Sequence, residues 1–239
     1  VNLILFEPHE LNAPLPRRDR RASHLLEVLR RRVGDSFDAG LVNGPRGRAT
    51  LTGIDPDGIA LTFSWGPAPA PLEPITLLVG LPRPQTARDV LREMTALGVA
   101  CIHFVVTSKG EPGYAASTLW SSGEWRRLLI AGAEQAFATQ LPDVTRGRTL
   151  AEALAELPAG GTRVALDNYE STGALGGLSR PDDSAVILAV GPERGWSADD
   201  RTALRAHQFA LVDLGPRILR VETAAIAAVA ILRASRGLM

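Results

Sequence analysis

Two short, unbroken apolar runs near the C-terminus limit what this chain of 239 residues can fold into more than any other feature. Val186, Ile187 and Leu188 lead into Gly191-Pro192-Glu193-Arg194-Gly195, and Leu211, Val212 and Leu214 lead into Gly215-Pro216. An apolar run closed by such residues reads as a buried strand entering a loop. Two such turns put bare main-chain N–H and C=O groups at one sheet edge, where glycine allows a flat polar ligand to come close. In open α/β sheets, ligands sit just past the carboxyl ends of strands. Ordinary strand-to-helix turns have the same spacing, and spacing alone does not separate the two.

Upstream the pattern differs. Residues 2–6 read as a strand, and Pro14 and Pro16 interrupt the chain before the next element. Residues 19–32 carry Leu25, Leu26, Val28 and Leu29 at helical spacing with arginines on the other face, and Gly34-Asp35 ends the helix. Short alternating strands come next, near 35–42, 46–53 and 58–64, separated by Asn43-Gly44 and by Asp55-Pro56-Asp57-Gly58, which are hairpin turn residues. A small β-barrel with one helix is the natural packing. Residues 65–74 are proline-rich and lack periodicity, which marks a linker and divides the chain into domains at 1–70 and 71–239.

After the linker, strands alternate with helices. Strands are expected at 75–80, 99–106, 162–167, 184–190 and 209–214, and helices at 86–97, 119–137 and 222–236. Val90, Leu91, Met94 and Leu97 form the inward face of the first of these helices. Ser197 with Asp200 resembles a helix start, a capping serine followed by an acid in the first turn. Such alternation argues for an α/β domain with a mostly parallel sheet.

Acidic and basic residues balance at 26 each, so net charge makes no general case for nucleic acid. Their distribution is more informative: seven arginines fall in residues 17–32 against Asp19 and Glu27, and Lys109 is the only lysine. That basic run suits phosphate, because arginine pairs with it two-pronged, and it equally suits a solvated helix face. Several common sites are absent. There is no G-x-G-x-x-G after a strand, no P-loop around Lys109 and no G-x-S-x-G elbow. His9, His24, His103 and His207 are scattered and Cys101 stands alone, so no metal site is expected. Cys101 lies in an apolar run, where a packing thiol is the commoner outcome than a nucleophile. The longest apolar runs fall short of a membrane span and the N-terminus has no signal-peptide pattern, so a cytoplasmic protein is expected.

GPERGWS followed by LGPRILRVETAA resembles the C-terminal motifs of the ribosomal RNA small subunit methyltransferase E family. Residues 24–35, HLLEVLRRRVGD, are similar to that family's N-terminal signature. The resemblance implies a PUA-like RNA-binding β-barrel over 1–70 and a SPOUT-type α/β methyltransferase domain with a C-terminal trefoil knot over 71–239. It also implies an S-adenosylmethionine-dependent enzyme that methylates N3 of a uridine in 16S ribosomal RNA, on the small ribosomal subunit. Family members pair through the knotted region, so a homodimer is expected, and small residues Ala224, Ala225, Ala227 and Ala228 allow close helix approach. Cofactor contacts are implied at Leu166, Ala189, Val190, Gly191, Pro192, Glu193, Leu214, Gly215, Ile218, Leu219, Glu222, Thr223 and Ala224. RNA contacts are implied at Arg21, His24, Arg30, Arg31, Glu134, Gln135 and Arg217.

The chain departs from the pattern at four places. Arg194 stands where the family usually has a second glycine, and Arg83 where it often has lysine. Residues 107–117, TSKGEPGYAAS, differ from the usual Thr-x-Arg-Ser type sequence. Glu134-Gln135 and Pro142 fit, but Ala136-Phe137-Ala138 replaces a Ser-Gly-Arg. These departures keep alive a SPOUT relative that binds the cofactor yet modifies another RNA position or only binds RNA. An unrelated α/β enzyme for a nucleotide-like ligand is a third reading. For uridine N3, negative charge spreads onto O2 and O4 as the proton departs, and a fixed arginine beside them stabilises it. Arg220, directly after Ile218-Leu219, is the candidate; a salt bridge to Glu222 or a helix-end interaction is its structural alternative.

Overall fold

Asn43, at φ +56, and Gly44 turn the chain where hairpin chemistry requires it, and they set the N-terminal unit. The computed structural model describes residues 3–177 and 185–238; Asn2 and Ser184, at the starts of two expected strands, lie outside them. Contacts divide the chain into Val1–Pro71 with Ile130–Leu141, and Leu72–Leu129 with Pro142–Met239. In the first unit, strands β1 (Ile4–Phe6), β2 (Leu15–Pro16), β3 (Ser36–Leu41), β4 (Arg46–Ile54) and β5 (Gly58–Trp65) form one sheet in the order β1-β3-β4-β5-β2. β1 is parallel to β3, and the other pairs are antiparallel. Its core holds Phe6, Leu25, Phe37, Leu51 and Ile59, each 3% exposed or less.

The helix expected over 19–32 is shorter. α1 (Arg20–Ser23) starts at Asp19, whose carboxylate accepts from Arg21 N at 2.8 Å, and runs into a single π-helical turn, His24–Val28. Arg30 is left-handed at φ +52, and Arg31 N closes back on Leu25 O at 2.9 Å. A left-handed residue there ends a helix. Arg30, Arg31 and Arg32 therefore lie beyond the helix instead of on its polar face.

Residues 130–141 also join this unit, which the linker position did not suggest. Asn43 N donates to Thr139 O at 2.8 Å, and Leu141 N to Asn43 Oδ1 at 2.9 Å. Arg46 donates to Phe137 O at 2.9 Å and lies over the Phe137 ring.

In the second unit, β6 (Glu73–Gly80), β7 (Val99–Val106), β8 (Asp143–Thr149), β9 (Thr162–Leu166), β10 (Val186–Val190) and β11 (Ala210–Val212) make an entirely parallel sheet, ordered β11-β9-β10-β6-β7-β8. β10 is buried at every residue, as its unbroken apolar run requires. The helices are α2 (Pro84–Ala96), α3 (Thr118–Ser121), α4 (Glu124–Gln135, which belongs to the first unit from Ile130 on), α5 (Leu150–Ala155), α6 (Ala198–Ala206) and α7 (Val221–Ser235). The single helix expected over 119–137 is broken between α3 and α4 at Gly123, which has φ +70. Ser197 caps α6 as expected: its Oγ accepts from Asp200 N at 3.0 Å and Asp200 Oδ2 accepts from Ser197 N at 2.9 Å. α7 packs on α2 and β10, and Arg233 ties its end to Leu97 O at 2.8 Å. Because β9 lies between β10 and β11, the chain must travel back from the sheet edge through 213–220 to place α7. No helix among the described residues is long and apolar enough to cross a membrane.

Candidate active site

Register puts the ends of three strands in one row: Val190 pairs with Leu166, and Leu166 with Val212. The segments that leave this row, with the start of α7 and Arg83 and Thr86 near α2, line a cavity of about 520 Å³. Of the residues expected at the cofactor, Leu166, Val190, Gly191, Pro192, Glu193, Ile218, Leu219, Glu222 and Ala224 line it, and so does Arg220. Ala189, Leu214, Gly215 and Thr223 are not among the lining residues. Ala189 is fully buried in β10, and Thr223 is exposed on α7.

A buried ion pair shapes the first wall. Asp167 Oδ2 accepts from Arg201 Nε at 2.7 Å, and Asp167 Oδ1 accepts from the backbone N of Tyr169 at 2.8 Å and of Glu170 at 2.7 Å. Removing either partner would strand a buried charge, a loss of about 3–5 kcal/mol in comparable pairs. Arg201 also lies under the Tyr169 ring, 5.4 Å from its centroid. Trp196 donates from Nε1 to Leu166 O at 3.0 Å and so joins this wall to the next.

The second wall is the turn after β10. Gly195, at φ +65, donates to Pro192 O at 2.7 Å. A Cβ on Gly80 would sit 2.4 Å from Pro192 Cδ, so the end of β6 must be glycine for this turn to rest against it. Lys109 donates from Nζ to Trp196 O at 2.9 Å and reaches Arg194 O at 3.5 Å. Glu193 Oε1 accepts from Arg83 N at 3.0 Å.

The third wall is the return segment. Gly215 has φ +99, a conformation that strains any side-chain-bearing residue. Its N–H donates to Asp213 Oδ1 at 2.9 Å, while Ser171 donates to Asp213 Oδ2 at 2.8 Å. The Gly215 N–H, then the Ser171 hydroxyl, hold the Asp213 carboxyl below its ordinary value. Among the described residues, the backbone of Arg217, Ile218 and Leu219 makes no hydrogen bond. Ile218 is 77% exposed, an apolar side chain without cover at the cavity. The side chains of Arg220 and Glu222 form no ion pair with each other or with any described residue. Of the two structural alternatives for Arg220, the salt bridge is absent among the described residues, whereas the helix-end position is present: Arg220 is the N-cap residue of α7, and its carbonyl accepts from Ala224 N at 2.8 Å.

The residues expected at RNA fall into two groups. Arg217 is exposed in the return segment. Arg21, His24, Arg30, Arg31, Glu134 and Gln135 belong to the first unit. There Arg21 is fully occupied: it donates to Leu5 O, to both oxygens of Glu10 and to both oxygens of Asp19. Glu134 Oε1 accepts from Leu5 N at 3.0 Å, and burial raises its carboxyl's pKa. Gln135 and Arg30 are exposed. The roles of Asp167, Arg201, Trp196 and Asp213 are not legible in the sequence, because each has a partner far along the chain: Arg201 for Asp167, Leu166 O for Trp196 and the Ser171 hydroxyl for Asp213. Cys101 is partly exposed and burial raises its thiol's pKa, which disfavours a thiolate nucleophile. No cluster of three or more His, Cys, Asp or Glu residues suited to a metal occurs among the described residues.

A parallel α/β sheet with its cavity beyond the strand ends defines a class, and the profile described as RNA methyltransferase domain matches residues 68–233. The ribosomal RNA small subunit methyltransferase E of Treponema pallidum (strain Nichols) is 34% identical over 244 residues, covering 98% of this chain and 91% of that one. Ribosomal RNA small subunit methyltransferase E 1 of Borreliella burgdorferi is 27% identical over 236 residues, 95% of each chain. A crystal structure of the Neisseria gonorrhoeae ribosomal RNA small subunit methyltransferase E bound to S-adenosyl methionine superposes with a TM-score of 0.79 at 25% identity, covering 98% of this chain and 97% of that one. The chain belongs to the ribosomal RNA small subunit methyltransferase E family.

Proposed function

We propose that the chain methylates N3 of a uridine in small-subunit ribosomal RNA, using S-adenosylmethionine in the cavity beyond β9, β10 and β11. The observation that carries this is Arg220, a guanidinium on the cavity wall with no ionic partner among the described residues. The cavity fits the cofactor on its own terms. Its volume of about 520 Å³ lies within the range of small-ligand sites. Leu166, Val190, Leu219 and Val221 offer apolar surface for a purine, and the backbone of Ile218 and Leu219, unpaired among the described residues, offers donors and acceptors for its heteroatoms. Glu222, a carboxylate without an ionic partner among the described residues, is suited to a cationic group. When bound, S-adenosylmethionine supplies a methyl group on a sulfonium leaving group.

The chain's residues do the rest. Asp167 and Arg201 fix one wall, Lys109 supports the turn opposite, and Asp213 sets the return segment. These hold the reactants in place, which is most of what such a transfer needs. Arg220 stabilises the charge on the uracil oxygens as N3 loses its proton. The first unit acts as a PUA-like RNA-binding barrel, with Arg30, Arg31 and Gln135 toward RNA. The 213–220 return is the passage of a trefoil knot, and α7 pairs two subunits. Leu214, Gly215, Ala189 and Thr223 act on the cofactor only through the shape they give the segments that line the cavity.

Arg220→Ala should lower single-turnover methylation of small subunits by about 10²–10³ while S-adenosylhomocysteine affinity holds, since the contact strengthens only as the uracil becomes anionic. Arg220→Lys should rescue little, because lysine lacks the planar fork. A near-normal rate in Arg220→Ala sinks the catalytic role.

A further inference from the structure

Position 194 is where the 186–197 stretch leaves its family's pattern, with arginine in place of glycine. The backbone explains neither residue. The left-handed position in this turn belongs to Gly195, at φ +65, and Arg194 has no positive φ. Arginine is therefore carried there without strain and without need. Its carbonyl is approached by Lys109 Nζ at 3.5 Å, and its side chain is exposed on the wall of the cavity.

Charge accounting gives the side chain a use. Arg83, Arg194 and Arg220 line the cavity with Asp167, Glu193 and Glu222. Asp167 is bound by Arg201 at 2.7 Å, and Glu193 Oε1 accepts from the backbone N–H of Arg83 at 3.0 Å with the guanidinium Nε of Arg83 at 3.9 Å. Among the described residues, Arg194, Arg220 and Glu222 keep no ionic partner, and neither does Arg217 in the adjoining segment. The unpaired charge around this cavity is positive in a chain whose net charge is zero. Extra cations do not favour a sulfonium; they suit an anion with several oxygens. A guanidinium meets phosphate with two parallel donors.

We infer that Arg194 binds a phosphate of the RNA strand beside the target nucleotide, setting the strand's register while the base enters the cavity. The inference rests on the methyltransferase reading above. It makes Arg194 a specificity-determining residue for RNA, with no part in holding the cofactor.

The test titrates deproteinised small-subunit ribosomal RNA against wild type, Arg194→Ala, Arg194→Gly and Arg194→Lys over a range of KCl concentrations, with calorimetry of S-adenosylhomocysteine alongside. Arg194→Ala and Arg194→Gly should weaken RNA binding and flatten the log–log salt dependence by about 0.7 unit, the value for one contact on a single strand. Arg194→Lys should keep the slope, and all four proteins should bind S-adenosylhomocysteine alike. An unchanged slope in Arg194→Ala overturns the inference. So does a loss of S-adenosylhomocysteine affinity matching the loss for RNA, which would assign the arginine to the cofactor's carboxylate. Wild-type protein that fails to bind S-adenosylhomocysteine or RNA overturns the underlying reading, and this inference falls with it.

Discussion

Arg21 and Arg220 show how one residue type takes opposite roles. Arg21 spends every donor inside the protein, and its guanidinium stacks 5.1 Å from the Phe6 ring centroid. With Glu134 it caps both backbone groups of Leu5 on the outer strand β1. The motif places Arg21 and Glu134 with RNA because a motif does not say which way a side chain turns. Glu10 provides the measurable consequence. Hydrogen bonds from Arg21 hold its carboxyl below the ordinary value near 4.5, against the opposing effect of burial. A depressed carboxyl contributes stability that is present above the unfolded value and lost as pH falls through the folded one. Glu10→Gln should therefore cost about 1–3 kcal/mol at neutral pH and little in acid. Urea unfolding of both proteins from about pH 7 to pH 3 checks this. A penalty that does not shrink in acid contradicts the role given to the ion pair.

At the scale of elements, legibility followed burial. β6, β7, β9 and β10 stand close to where their apolar runs placed them, and the Ser197 cap could be read from two residues. β8 was missed because it is an edge strand whose sequence, Asp143–Thr149, has no buried residue and no alternation. α5 was missed because six residues are too few to display a period. The basic helix was drawn too long because nothing in Arg30-Arg31-Arg32 announces a left-handed stop. α7 carries the element-scale prediction. It buries Ala225, Ala228, Val229 and Leu232, and leaves Ile226, Ala227, Ala230 and Ile231 partly exposed along one face. A half-covered apolar helix face with small residues suits a second copy of itself. Sedimentation at about micromolar concentration should give a dimer for the wild type and a monomer for Ala227→Arg, whose charge cannot be buried unpaired. A wild type that sediments as a monomer ends the pairing proposal.

For the whole molecule, one arrangement governs both chemistry and legibility. Three strand ends in one register row fix where the cavity lies, and the non-sequential order of β9, β10 and β11 forces the return segment past it. The positions of the strands and turns could be read from apolar runs and glycines. Their order in the sheet could not, since strand order is a long-range property that periodicity does not encode. The capture of residues 130–141 by the first unit was hidden for the same reason: its ties run from Asn43, Arg46 and Leu5 to residues about ninety or more positions away. On this arrangement rests the proposal that the cavity serves methyl transfer to uridine N3. The most direct test incubates the purified chain with unmethylated small subunits and S-adenosylmethionine, then identifies the nucleosides by mass spectrometry. Wild type should yield N3-methyluridine and Arg220→Ala almost none. A methyl group on another base or on ribose, or no methylated nucleoside at all, would contradict the proposal.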